Sequence, residues 1–303
     1  MKRREFLALT AAAAFCQSLK PVFAEGAKKK ILYFERSNGF IHPSTIIDPA
    51  TGKSVGGRVI TEIGNKLGFE VVCTKDGRIF DGDLSQYAAF ILNCCGQLTG
   101  NGGNDGPDAY PMSDAGLQNF FTAIRGGVGV LGFHNASDTN KSGGPTRFGN
   151  RPIEERNDYT KMIGGEFIVH GSQQETDIRI VKKGELPSVT EIPRVKEEWY
   201  SLRNFNPDIH VLFVQETEGM QTDGGNVCYD RVPFPCTWVR KEGNGRVAYT
   251  SFAHNNSTWE TDWMQAVIFD LMKFITCQMD LDLTPNMNEV APGCEVACRQ
   301  NFN

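Results

Sequence analysis

Several features are scarce in this 303-residue chain, and each absence closes a class of function. No apolar run approaches the roughly 20 residues a helix needs to cross a bilayer, so no stable membrane insertion is expected of the mature chain. Lys and Arg form no extended patch and the formal net charge is −5, which argues against nucleic acid, whose binding requires phosphate neutralisation. There is no G-x-G-x-x-G fingerprint, so no nucleotide cofactor is expected. The cysteines lack the paired C-x-x-C spacing of a four-cysteine zinc site. Internal repeats and heptads are absent, which excludes solenoids and coiled coils. Histidine is limited to five residues, so where they fall carries information.

What is present begins with a targeting pattern. Lys2-Arg3-Arg4-Glu5-Phe6-Leu7 is a twin-arginine start, and the apolar run from Phe6 to Phe15 is broken only by Thr10. Val22-Phe23-Ala24 then offers a small-residue cleavage site. Residues 1–24 read as a signal peptide, and the mature protein as periplasmic or secreted. A buried first helix is the alternative, but nothing caps it. Lipidation at Cys16 is a second, opposed by the bulky Phe15 before it. Loss of residues 1–24 removes four cations and one anion and takes the charge from −5 to about −8.

Eight cysteines remain, an even number in an oxidising compartment, where bridges form. Cys294 and Cys298 lie in a tail with little core of its own, where a staple to each other or to Cys277 is expected. Cys228 and Cys236 flank a Pro-containing loop that a bridge would close. Residues 25–280 suit one elaborated α/β domain, with 281–303 as its Cys-containing tail.

Ile31–Phe34, Glu70–Cys73, Ala88–Leu92 and Val128–Phe133 are short runs rich in strand formers. Between them, Val59, Ile60, Ile63 and Leu67 recur at helical spacing before Gly68, and Leu117, Phe120, Phe121 and Ile124 do so before Gly126-Gly127. That order predicts a mainly parallel sheet with helices on both faces, whose ligands bind beyond the carboxyl ends of the strands. Gly96–Tyr110 is too long and polar for a simple connector. The second half reads as a β-rich extension, with strands at 167–169, 176–181, 210–214, 237–240 and 246–251, and a last helix from about Glu260 to Gln278.

Four histidines sit just after predicted strands: His42, His134, His170 and His254. His210 opens a strand and reads as a surface residue. For any one of them, a hydrogen-bonded structural role is the simpler reading; four at strand ends point to a shared location. Neutral imidazoles bind zinc and similar divalent ions and move protons near neutral pH.

These segments resemble the ThuA-like (trehalose utilisation) domain, a branch of the flavodoxin-like, class I glutamine amidotransferase-like fold. The resemblance covers roughly residues 29–277. It rests on Gly132-Phe133-His134-Asn135-Ala136, on Tyr159 followed by Ile163-Gly164-Gly165-Glu166-Phe167 and His170, on Glu197-Glu198-Trp199-Tyr200, and on Pro235-Cys236-Thr237-Trp238 followed by Gly243–Tyr249 and His254. Ala253 and Gly171 depart from it, where the family usually has Gly and Pro. His134 stands where glutamine amidotransferases carry a nucleophilic Cys. Nothing places a base beside Cys94 and Cys95, so amidotransferase chemistry is not expected.

The resemblance implies a small carbohydrate substrate, a trehalose-like or 3-keto glycoside, opened by metal- or His-assisted elimination or hydrolysis. His134, His170, Glu198 and His254 are then the candidate catalytic residues, with His134, His170 and His254 as ligands of a divalent metal such as zinc. His42, Asn135, Tyr200, Trp238 and Asn255 are candidates for substrate binding, with Trp259 as a further stacking surface. Core packing is the competing role for Trp238; Arg246, on a strand, is expected to cover apolar surface or pair with a carboxylate. A non-catalytic sugar-binding protein, or an accessory subunit of an exported oxidoreductase, is the alternative.

Overall fold

The computed structural model describes residues 30–102 and 105–299; the expected signal segment, 1–24 with Cys16, lies outside them. The strands are β1 (Lys30–Phe34), β2 (Glu70–Thr74), β3 (Tyr87–Leu92), β4 (Gly129–Phe133), β5 (Glu166–His170), β6 (Gln174–Thr176), β7 (Ile178–Ile180), β8 (Val195–Glu197), β9 (Tyr200–Arg203), β10 (His210–Gln215), β11 (Phe234–Glu242) and β12 (Gly245–Thr250). Eight of them form one sheet in the order β2-β1-β3-β4-β12-β11-β10-β7. The first five are mutually parallel, in the strand order of flavodoxin-like sheets. From β12 onward the pairing is antiparallel, so the sheet is mixed. Most of the predicted β-rich extension therefore continues the main sheet. Two ribbons, β5-β9 and β6-β8, stand apart from it.

Local chemistry sets the helix limits. In α1 (Val55–Lys66) Ser54 Oγ accepts from Gly57 N at 2.9 Å, a cap contributing about 1 kcal/mol, and Gly68 leaves the helix at φ +88°. Ser113 caps α2 (Asp114–Gly126) in the same way. The short α3 (Asp158–Ile163) ends at Gly164, φ +86°, where a Cβ would meet Trp238 Nε1 at 2.8 Å. The predicted last helix is α5 (Asp262–Ile275), capped by Thr261, and a short α4 (Asn256–Trp259) that the sequence reading lacks precedes it.

Helices cover both faces. On one, Val59, Ile60 and Ile63 of α1 pack with Val267, Ile268 and Leu271 of α5. On the other, Phe120, Phe121 and Ile124 of α2 pack with Tyr159, Met162 and Ile163 of α3. Each such fully buried side chain stabilises the fold by roughly 1.5–3 kcal/mol.

The predicted strand 176–181 splits at Asp177. Thr176 ends a ribbon strand, while 178–180 forms the edge of the main sheet on β10. His210 is not a surface residue as expected: it is buried, with Nδ1 2.6 Å from the Thr284 carbonyl and Nε2 3.0 Å from Glu185. The tail segment covers it. Asn286 also bridges both backbone groups of Val211, and Arg231 donates to the Cys294 carbonyl. Met287, Ala291 and Cys294 thereby join the core. All eight cysteines from Cys73 to Cys298 are free thiols in the structure, and none of the expected bridges is made. Arg246 caps carbonyls of Phe274 and Met279 and pairs with Asp280, a structural role. The Gly96–Tyr110 loop is tied down by Arg36, which donates to the carbonyls of Gln97, Leu98, Gly100 and Ala109.

Candidate metal centre

Three parallel strands deliver three imidazoles to one rim. His42 follows β1, His134 follows β4 and His254 follows β12. His134 begins a 3-10 turn over His134–Asp138 with φ +26°, an unfavourable value for a residue with a side chain. The turn is fixed from beneath. Tyr249 Oη donates to the His134 carbonyl at 2.9 Å, and Tyr159 Oη to that of Ala136 at 2.9 Å. Ala253, at φ +80°, turns the chain before His254, and Trp259 Nε1 donates to its carbonyl at 2.8 Å.

The fourth donor comes from the turn between β8 and β9. Glu198 Oε2 lies 3.3 Å from His254 Nδ1, 3.6 Å from His134 Nε2 and 3.6 Å from His170 Nε2. His254 Nδ1 is 3.2 Å from His134 Nε2. One donor atom from each of His42, His134, Glu198 and His254 lies within 4.8 Å of the others. His42, predicted for substrate, is thus in the donor set. His170, predicted as a ligand, is outside it: its side chain is 44% exposed, and it faces Glu198 from the rim.

Charge states suit a cation. Burial, with the neighbouring imidazoles His134 and His254, lowers the pKa of His42 to about 2. Burial and His134 lower that of His254 to about 4. Both rings are neutral at pH 7 and offer lone pairs. Burial alone would raise Glu198, but the surrounding imidazoles of His134, His254 and His170 outweigh it and hold the carboxyl below its usual range. His134 Nδ1 lies 2.9 Å from the Ser251 carbonyl, so its N–H is there and Nε2 is free to bind. A tetrahedral zinc-like ion spaces its N and O ligands about 3.4 Å apart, close to the separations among His134, His254 and Glu198. The donor set fits a divalent ion.

Around the donors, Tyr200 Oη lies 3.2 Å from His42 Nε2, and its ring packs on His134 at 3.8 Å between centroids. Asn135 Nδ2 is 3.3 Å from His42 Nδ1, and its buried Oδ1 has no hydrogen-bond partner. Asn255 is at the rim, paired with Gln173. Trp238 is not brought to the site: it is fully buried, stacks on Tyr249 at 4.4 Å and donates to the Ile163 carbonyl. Trp259 is also in the core, against Phe133.

Sequence reasoning missed Glu197. This buried carboxylate accepts from the Glu198 backbone N–H at 3.2 Å and from Thr258 Oγ1, joining the Glu198 turn to α4. Burial raises its pKa. The adjacent acidic pair in Glu197-Glu198 was the available signal.

The family model described as trehalose utilisation matches residues 30–275. Similar solved structures include a ThuA-like protein from Bacteroides uniformis, 17% identical over 84% of this chain and 94% of that one, with a TM-score of 0.57. A second ThuA-like protein, from Parabacteroides merdae, is 15% identical over 89% and 96% of the two chains, with a TM-score of 0.51. At these identities the likeness is one of fold. No curated protein matches the chain. With the model spanning most of the sequence and both sheet and rim in place, the chain belongs to the ThuA, or trehalose utilisation, family.

Proposed function

We propose that this is an exported carbohydrate-active protein that holds a divalent ion with His42, His134, His254 and Glu198 and opens trehalose-like or 3-keto glycosides. The observation that carries the reading is the convergence of three imidazoles and one carboxylate within 4.8 Å. The twin-arginine start supports export. A divalent ion bound there supplies positive charge to a substrate oxygen.

The remaining chemistry falls to the chain's own groups. A carbonyl at the third carbon of a sugar acidifies the hydrogen on the second. We assign its removal to His170, whose Nδ1 lies 2.9 Å from the Gly171 carbonyl; that contact holds the N–H there and leaves Nε2 as the base. The electrons of the broken C–H bond form a double bond to the first carbon as the glycosidic oxygen departs. That oxygen takes back one proton, and addition of water across the double bond completes a net hydrolysis. Asn255 and Gln173, paired with each other at the rim, would meet sugar hydroxyls in this reading.

The test is to incubate metal-analysed mature protein with 3-keto-trehalose and with trehalose. Release of free sugar from the keto form, lost in His170→Ala, is expected. A metal-loaded protein that binds both sugars and turns over neither is a binding protein instead.

A further inference from the structure

Large apolar side chains are exposed at only a few places among the described residues, and Phe40 is the most exposed of them at 64%. It stands two residues before His42, on the same segment as the exposed Ile46 and Ile47. Its ring meets the His42 ring edge-on, with centroids 5.0 Å apart and planes at 82°. His42 is itself buried among the donors, its ring 5.2 Å from His134 and 5.3 Å from His254. Phe40 is therefore the apolar border of the cluster on the β1 side, while the half-exposed His170 borders it beside Glu198.

The segment carrying Phe40 is held in place. Asn38 N donates to the Cys95 carbonyl at 2.7 Å, Ser37 N to Asp105 Oδ2 at 2.6 Å, and Thr45 N to the His42 carbonyl at 3.0 Å. Stacking on a ring already in place immobilises little more of the protein. A pyranose ring has one apolar C–H face and a polar edge of hydroxyls. An exposed aromatic on one border and polar groups on the other match those two aspects.

We propose that Phe40 is the stacking platform for a pyranose ring of the substrate, and so a specificity-determining residue. This rests on the sugar-binding part of the function proposed above and is independent of turnover. Phe40 touches no reacting atom, so its contribution falls on KM rather than kcat.

The experiment compares wild type, Phe40→Ala and Phe40→Tyr as full mature proteins, with metal content measured in each. Binding of unreacted trehalose is followed by calorimetry, and KM with 3-keto-trehalose. Phe40→Ala is expected to weaken trehalose binding and raise KM about tenfold, with metal content unchanged, and Phe40→Tyr to restore both. If wild type binds trehalose without turning over either sugar and Phe40→Ala weakens that binding, the catalytic reading fails and the platform stands. Equal binding by wild type and Phe40→Ala overturns the platform. So does a wild type that binds neither sugar, or an oligomer that Phe40→Ala dissociates while sugar binding stays the same.

Discussion

His134 Nδ1 lies 2.9 Å from the carbonyl oxygen of Ser251, at the end of the neighbouring parallel strand. That one contact fixes both the ring's orientation and its tautomer. It aims Nε2 at Glu198 and His254, and it shows why the donor cluster depends on the register between β4 and β12. Removing the ring should empty the site without unfolding the sheet. His134→Ala is expected to weaken divalent-metal binding about 100-fold or more, read by chelator competition, while the far-ultraviolet spectrum stays native. Undiminished metal binding in this variant contradicts the assignment.

Tyr200 separates the roles of ring and hydroxyl. Tyr200→Phe keeps the packing on His134 and Phe167 but removes the oxygen 3.2 Å from His42 Nε2. It should lower metal affinity about tenfold and change stability by no more than about 1 kcal/mol. Tyr200→Ala removes the buried ring as well and should cost about 3–5 kcal/mol. Metal titration and denaturant unfolding of the two variants check both statements.

A pH dependence of stability is expected from Glu35, which is outside the metal donor set. Its carboxyl is buried against Ser54 Oγ at 2.5 Å, with Lys75 and Asp105 the charged groups nearby. Burial raises its pKa from 4.5 to about 8, against the opposing pull of Ser54 and Lys75. Between those values the folded protein holds a proton that the unfolded chain releases, so stability falls as pH rises through the window. The loss is on the order of 5 kcal/mol. Glu35→Gln should flatten the slope between pH 5 and 8 in urea unfolding; an unchanged slope contradicts the assignment.

Ala253 sits at φ +80°, where a side chain is strained and glycine is not. Ala253→Gly should stabilise the protein by up to about 1 kcal/mol, or roughly 2–4 °C in Tm, with metal content preserved. A fall in Tm would mean that the Ala253 methyl, buried beside the site, contributes more by packing than the backbone loses by strain.

The parts that were legible in the sequence share a cause. The first four strands, α1 and α2 have apolar periodicity and local stop signals, and the parallel strand order then puts His42, His134 and His254 on one rim. What was not legible depends on contacts distant in sequence. His170 ends β5, which pairs with β9 outside the main sheet and lies across from Tyr200, so a strand-end position there does not point into the donor set. Trp238 lies on β11, where the twofold alternation of side chains turns it under the sheet toward Phe205 and Tyr249. His210 looks exposed until Glu185 and Thr284 arrive from either side of it in sequence. The two-residue gap between Phe40 and His42 was visible, but only the packing shows that one is buried and the other open.

The central claim is that His42, His134, His254 and Glu198 hold one divalent ion together. Anomalous diffraction from crystals of the zinc-loaded mature protein, recorded on both sides of the zinc edge, tests it most directly. The account predicts a single strong peak in contact with all four side chains. A peak among the cysteines, or none at these four residues under saturating zinc, would contradict it.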